Sequence, residues 1–307
     1  MAEKVCIVDV TLREYGQNVP AAGLDVFSPE SRIRIASGLM DAGFTELEIF
    51  SCVSPRVSPA MNGDALRRIA RGLGRRAGVT LITLVPNRRG FDRFLDLGLD
   101  PDGYDHALGI FFSAVEAHNR ANLGRGIDET LEAYRPMIRE AVSMGIRVYG
   151  YVSGAFGYRE PGRSEIRKPD AGDLNRYVGF YLDLGVERIT LSDLQGVAGE
   201  DDTSRVLEGI LQNIGTPDKT LFGYHPHHVS GEKAIKNSQA AFDLGIRRFD
   251  ASLGGTGGCV TGAPGNQPTE GLVRHFHGMG VETGLNERAV FELSGEMAQR
   301  IYGKIPQ

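Results

Sequence analysis

Eight short runs rich in β-branched and aromatic residues recur along this chain, and a longer run with helical spacing follows each of the first seven. The strand-like runs cover residues 4–10, 45–51, 79–85, 106–112, 146–152, 187–193, 219–225 and 246–252. Between them, residues 28–43, 63–76, 87–98, 126–145, 169–185, 201–215 and 230–245 place apolar side chains three and four apart, the period of an α-helix. Five of these segments close on Gly43, Gly98, Gly145, Gly185 and Gly245 just before the next strand, where glycine suits a left-handed helix cap. Alternation of this kind predicts a parallel sheet. Eight units in a chain of 307 residues suit an α/β fold of the (β/α)8 TIM barrel type. A doubly wound open sheet is the alternative. It would be favoured by a Gly-x-Gly-x-x-Gly turn after the first strand, and Asp9–Asn18 is not one. The expected organisation is a barrel over residues 1–285, with a C-terminal helical extension over 286–307 packed on it.

Composition narrows the function classes. Lys and Arg number 34 against 39 Asp and Glu, a net charge of −5, which leaves no electrostatic footprint for nucleic acid or an anionic membrane. No apolar run approaches the roughly 18 residues of a membrane span. The first apolar run is too short for the core of a signal peptide. Cys6, Cys52 and Cys259 are odd in number and far apart, so a disulfide framework is not expected and a reducing cytoplasm is. Glycine is in excess, 41 residues, and six of them fall within residues 254–266.

In such a barrel, function sits at the C-terminal ends of the strands. The first strand runs into Asp9, Arg13 and Glu14; the second carries Glu48 within an apolar run; the sixth ends on Asp193; the seventh on His225-Pro226-His227-His228. On an extended chain, residues i and i+2 point to one side, so His225 and His227 are placed to share a metal. Pro226 donates no hydrogen bond and fits a strand end. Oxygen donors would complete an octahedral site, and Glu14 and Asn266 are the candidates from other strand ends. His275-Phe276-His277 repeats the spacing within a helical pattern, where the two rings face about 200° apart and cannot share an ion. Arg13 at a buried strand end suits a carboxylate or a developing oxyanion. Glu48 would be costly to bury without a partner, so it is either inward-facing beside Arg13 or at an edge. Asp193 is either a site residue or the cap of the following helix. Cys259 is either a proton donor on a mobile loop or incidental to a glycine-rich, phosphate-gripping one.

The segments VDVTLREYGQN, ELEIFSCVSPRVSPAM, LVPNRRGF, GYVSGAFG, ITLSDLQGV, YHPHH, GGTGGCVTGAPGNQPTE and TGLN together resemble the 3-hydroxy-3-methylglutaryl-CoA lyases. These belong to the metal-dependent barrel lyases and Claisen synthases named for an Asp-Arg-Glu motif. The resemblance spans residues 5 to 285. It implies that Glu14, His225, His227 and Asn266 bind a divalent metal, Mg2+ or Mn2+. It further implies that Arg13 stabilises a thioester enolate and Cys259 protonates it, with Glu48, Asp193 and Glu270 nearby. The implied substrate is a small-molecule CoA thioester, and the implied assembly is a homodimer. Three features depart from the lyase pattern: Glu14 replaces the usual Asp, His228 replaces an Asp, and the span from Cys259 to Asn266 is two residues short. A synthase joining acetyl-CoA to a keto acid, or a barrel that binds metal without chemistry, are therefore the alternatives.

Overall fold

The computed structural model describes residues 3–74, 76–97, 105–214, 218–228, 230–258 and 265–304. Eight parallel strands close into a barrel in the order β1-β10-β9-β8-β5-β4-β3-β2. They are β1 (Cys6–Asp9), β2 (Glu46–Ser51), β3 (Thr80–Leu84), β4 (Asp105–Ser113), β5 (Val148–Ser153), β8 (Arg188–Asp193), β9 (Phe222–Pro226) and β10 (Arg248–Ala251). A two-residue antiparallel hairpin, β6 (Tyr158–Arg159) and β7 (Ile166–Arg167), stands apart from them. All eight strand runs expected from the sequence are present, which makes the fold an α/β (β/α)8 barrel.

By contact density the chain divides into residues 1–107, 251–259 and 268–307 on one side and 108–250 and 260–267 on the other, so the division runs within β4 and β10. The first unit holds α1 (Thr11–Asn18), α2 (Pro29–Asp41), α3 (Gly63–Gly72) and α4 (Arg88–Leu95). Its helix starts follow capping chemistry: Ser28 accepts from Ser31 N at the head of α2, with Pro29 in the first turn, and Asn62 accepts from Ala65 N at the head of α3. Gly43, at φ 106°, then turns the chain into β2. The second unit holds α5 (Glu116–Leu123), α6 (Ile127–Ser143), α7 (Ala171–Asp183), α8 (Glu200–Asn213) and α9 (Gly231–Asp243). There Gly150 of β5 is required by packing, because a Cβ would come within 2.7 Å of the Tyr181 ring. The tail of the chain supplies α10 (Thr269–Gly278) and α11 (Glu287–Arg300) to the first unit.

The sequence reading differs from the structure at the end of the first strand. The strand stops at Asp9, and Arg13 and Glu14 lie in the first turn of α1. Asp9 accepts hydrogen bonds from Thr11 N (3.1 Å) and Thr11 Oγ1 (2.7 Å), which turns the chain out of the sheet. The helix escapes the periodicity test because Gly16 interrupts it. That glycine is set by packing: a Cβ there would meet Met61 Cε at 2.7 Å.

Candidate active site

In the first unit, β1, α1 and β2 bring three of the expected residues together. Arg13 Nε donates to Glu48 Oε2 at 2.6 Å, and Arg13 Nη1 donates to Glu14. All three side chains are buried, and Glu48 is fully so. The pairing of β2 with β3 shifts register between Glu48 and Phe50, an irregularity of the kind that re-aims a side chain beside a site. Glu48 is thus the inward-facing residue, and the guanidinium of Arg13 offsets its burial. Asp9, also fully buried, is pushed up to about 7, first by burial. The two bonds from Thr11 oppose that rise, and the charges of Glu270 and Glu48 add to it.

The same unit fixes the root of the glycine-rich segment. Thr11 Oγ1 accepts from Leu253 N at 2.9 Å, the Glu270 carboxylate accepts from Gly254 N at 2.9 Å, and Asn18 Nδ2 donates to Gly258 O at 2.6 Å. Gly254, Gly255, Gly257 and Gly258 all have positive φ, which explains the local run of glycine. Cys259 lies outside the described residues.

In the second unit, the end of β9 carries His225 and His227, with their Nε2 atoms 3.1 Å apart. Two N–H groups cannot face each other at that distance. Cis ligands bound at about 2.1 Å in an octahedron stand about 3.0 Å apart, so the pair fits one cation. Asp250 of β10 meets His225 Nδ1 with Oδ2 at 3.0 Å, and both side chains are buried. This contact orients the ring and leaves Nε2 with a lone pair for a metal. Asp250 escaped the sequence reading: it is the one acid of the strand-like run 246–252, but Arg247 and Arg248 beside it hide the signal that marked Glu48. Asn266 is buried and bridges His227 backbone to backbone. Asp193 of β8 is fully buried and spreads its carboxylate over Val197 N (3.0 Å) and Ala198 N (2.9 Å). Burial pushes Asp193 up to about 6, against those two bonds. Helix α8 is capped at Gly199, so Asp193 is not its cap; it holds the loop between β8 and α8.

His225 and His227 of the second unit are the two candidate nitrogen donors, both buried, and Glu14, the candidate oxygen donor of the first unit, is buried as well. His277 of the second H-x-H pair serves differently: Nδ1 meets Glu287 at 3.0 Å and Nε2 meets Thr283 at 2.8 Å.

Fold and site together define a class: a (β/α)8 barrel with a carboxylate-backed histidine pair at the C-terminal end of a strand. Comparison with known proteins narrows it. The family described as HMGL-like matches residues 4–296, and the chain belongs to that family. It is 33% identical over 276 residues to a hydroxymethylglutaryl-CoA lyase of Pseudomonas mevalonii, covering 89% of this chain and 86% of that one. It is 32% identical to an (R)-citramalyl-CoA lyase of Chloroflexus aurantiacus, over 99% of this chain and 93% of the relative. A solved HMG-CoA lyase of Acinetobacter baumannii, in complex with coenzyme A and 3-methylmalate, superposes with a TM-score of 0.85 at 26% identity, over 99% of this chain and 93% of the other.

Proposed function

We propose that the protein is a divalent-metal-dependent carbon–carbon lyase. It cleaves a 3-hydroxyacyl-CoA like 3-hydroxy-3-methylglutaryl-CoA into acetyl-CoA and a keto acid. The observation that carries this reading is the buried, convergent pair His225 and His227, backed by Asp250, in a chain of the HMGL-like family; Glu14 is the proposed carboxylate ligand. Asn266 is the fourth proposed ligand, and Mg2+ or Mn2+ the proposed ion. A bound divalent cation supplies Lewis acidity to substrate oxygens.

The other roles fall to the chain. Asp193, already drawn toward neutral pH by burial, takes the proton of the tertiary hydroxyl. As the carbon–carbon bond breaks, its electron pair passes to the thioester, and Arg13 stabilises the oxyanion of the resulting enolate. Glu48 holds the Arg13 fork in place through the 2.6 Å bond. Cys259 returns a proton to the enolate carbon, which yields acetyl-CoA. We further place the protein in the cytoplasm as a homodimer, on the odd number and wide spacing of Cys6, Cys52 and Cys259; among the described residues no helix is long and apolar enough to cross a membrane.

The test is incubation of the purified protein with Mg2+ and 3-hydroxy-3-methylglutaryl-CoA or its homologues, including citramalyl-CoA. Acetyl-CoA release is expected. Glu14 in place of the usual Asp favours the synthase as a second reading. Free CoA appearing from acetyl-CoA plus a keto acid, with no cleavage, would establish it. Neither reaction with any acyl-CoA would overturn both. Replacing Cys259 by Ser should slow turnover while metal binding persists.

A further inference from the structure

Arg32 of α2 is a buried cation without a buried anion. Its side chain is 1% exposed, and among the described residues no carboxylate pairs with it. Nη1 donates to Ala60 O at 2.6 Å, and Nη2 reaches Met61 Sδ at 3.5 Å. The guanidinium stands 5.2 Å from the centre of the Phe27 ring, and Nε has no hydrogen-bond partner among the described residues. A guanidinium so placed gives up its hydration, and a carbonyl and a thioether return only part of what water supplied.

Arg32 also lines a pocket of about 220 Å³ within the first unit, together with Phe27, Asn62, Ala65 and Arg68. Two helices begin there: α2, with Pro29 in its first turn, and α3, capped by Asn62. Both present the positive end of the helix dipole. Arg68 is exposed and pairs with Glu30. The one acid lining the pocket, Asp64, is turned to solvent and engaged by Arg67 at 2.6 Å. The buried charge of the pocket is therefore cationic, and its one lining acid stays at the rim.

We propose that this pocket is an anion site that takes a phosphate group, with Arg32 at its floor and Arg68 at its mouth. A tetrahedral oxyanion accepts several hydrogen bonds at once and would give the guanidinium the charged partner that a carbonyl and a thioether do not supply. The size of the pocket suits a single phosphate or phosphomonoester rather than a whole nucleotide. The phosphate is either free in solution or carried by a larger ligand such as CoA. The site stands independently of the lyase reading, because it shares no residue with Arg13, Glu14 or the histidines.

Calorimetric titration of the purified full chain with inorganic phosphate tests this, in parallel with Ala65→Glu and Arg32→Lys. The wild type is expected to show saturable binding and a phosphate-dependent rise in melting temperature. Ala65→Glu places a tethered carboxylate in the pocket; it should weaken phosphate binding by about tenfold or more and raise the melting temperature without phosphate. Arg32→Lys keeps the charge but loses the planar fork, so binding should also weaken. Absence of saturable binding in the wild type, or equal binding in Ala65→Glu, would overturn the proposal, and the latter variant serves even where Arg32→Lys fails to fold. Competition then assigns the source. Displacement of phosphate by CoA but not by 3′-dephospho-CoA marks a CoA phosphate, and phosphate retained in the presence of CoA marks a free ion. Both outcomes support the site.

Discussion

The chain carries the pattern His-x-His twice, and the two copies do unlike things. His225 and His227 end a strand, and their Nε2 atoms converge to 3.1 Å. His275 and His277 lie on α10, where the backbone turns the rings apart. His277 spends both nitrogens on Thr283 and Glu287, which ties α10 to the loop and helix that follow. A spacing has chemical meaning only with its backbone. Period two on a strand gives one face, and the same period on a helix gives two.

The largest expected effect breaks the first copy. His225→Ala removes one proposed ligand and leaves Asp250 without its partner. Metal content, measured by elemental analysis of protein dialysed against Mn2+, should fall to background, and turnover should fall by about a thousandfold or more. Retained metal with lost turnover would show that His225 acts on substrate instead. Asp250→Asn is a smaller step, since the amide oxygen can still accept from Nδ1 while the charge is lost. A Mn2+ titration followed by electron paramagnetic resonance should show affinity lower by about tenfold, and Asp250→Ala by about a hundredfold. Unchanged affinity would detach Asp250 from the site.

The contrast also explains what the sequence makes legible. Strand and helix alternation is a local property, so all eight barrel strands can be read from periodicity, and the strand setting of His225 and the helical setting of His277 follow from it. Helix α1 cannot be read this way. Its Gly16 answers to Met61, some forty-five residues away, and the turn that starts it is made by Asp9 and Thr11 rather than by an apolar pattern. Arg13 and Glu14 were therefore recognisable as residues of interest while their backbone was not. Asp250 shows the same limit from the other side. Its role exists only because β10 lies beside β9, with Phe249 opposite Tyr224, a pairing between strands more than twenty residues apart. Arg32 sits in an amphipathic helix pattern, where an arginine ordinarily faces solvent; its burial is set by Phe27, Ala60 and Met61.

The smallest effect belongs to the second copy. His277→Ala removes two hydrogen bonds at a half-buried position, to Glu287 at 3.0 Å and Thr283 at 2.8 Å. The expected loss is about 1 kcal/mol of stability, read as a lower denaturation midpoint with an unchanged slope, because one surface tie is lost and the core is untouched. Metal content and turnover should stay at the wild-type level. The pair of variants is informative together. If His277→Ala lost metal as His225→Ala does, ion binding would depend on the pattern itself, and the distinction between strand and helix would fail. If only stability moved, the backbone would be what separates a ligand pair from a structural clasp.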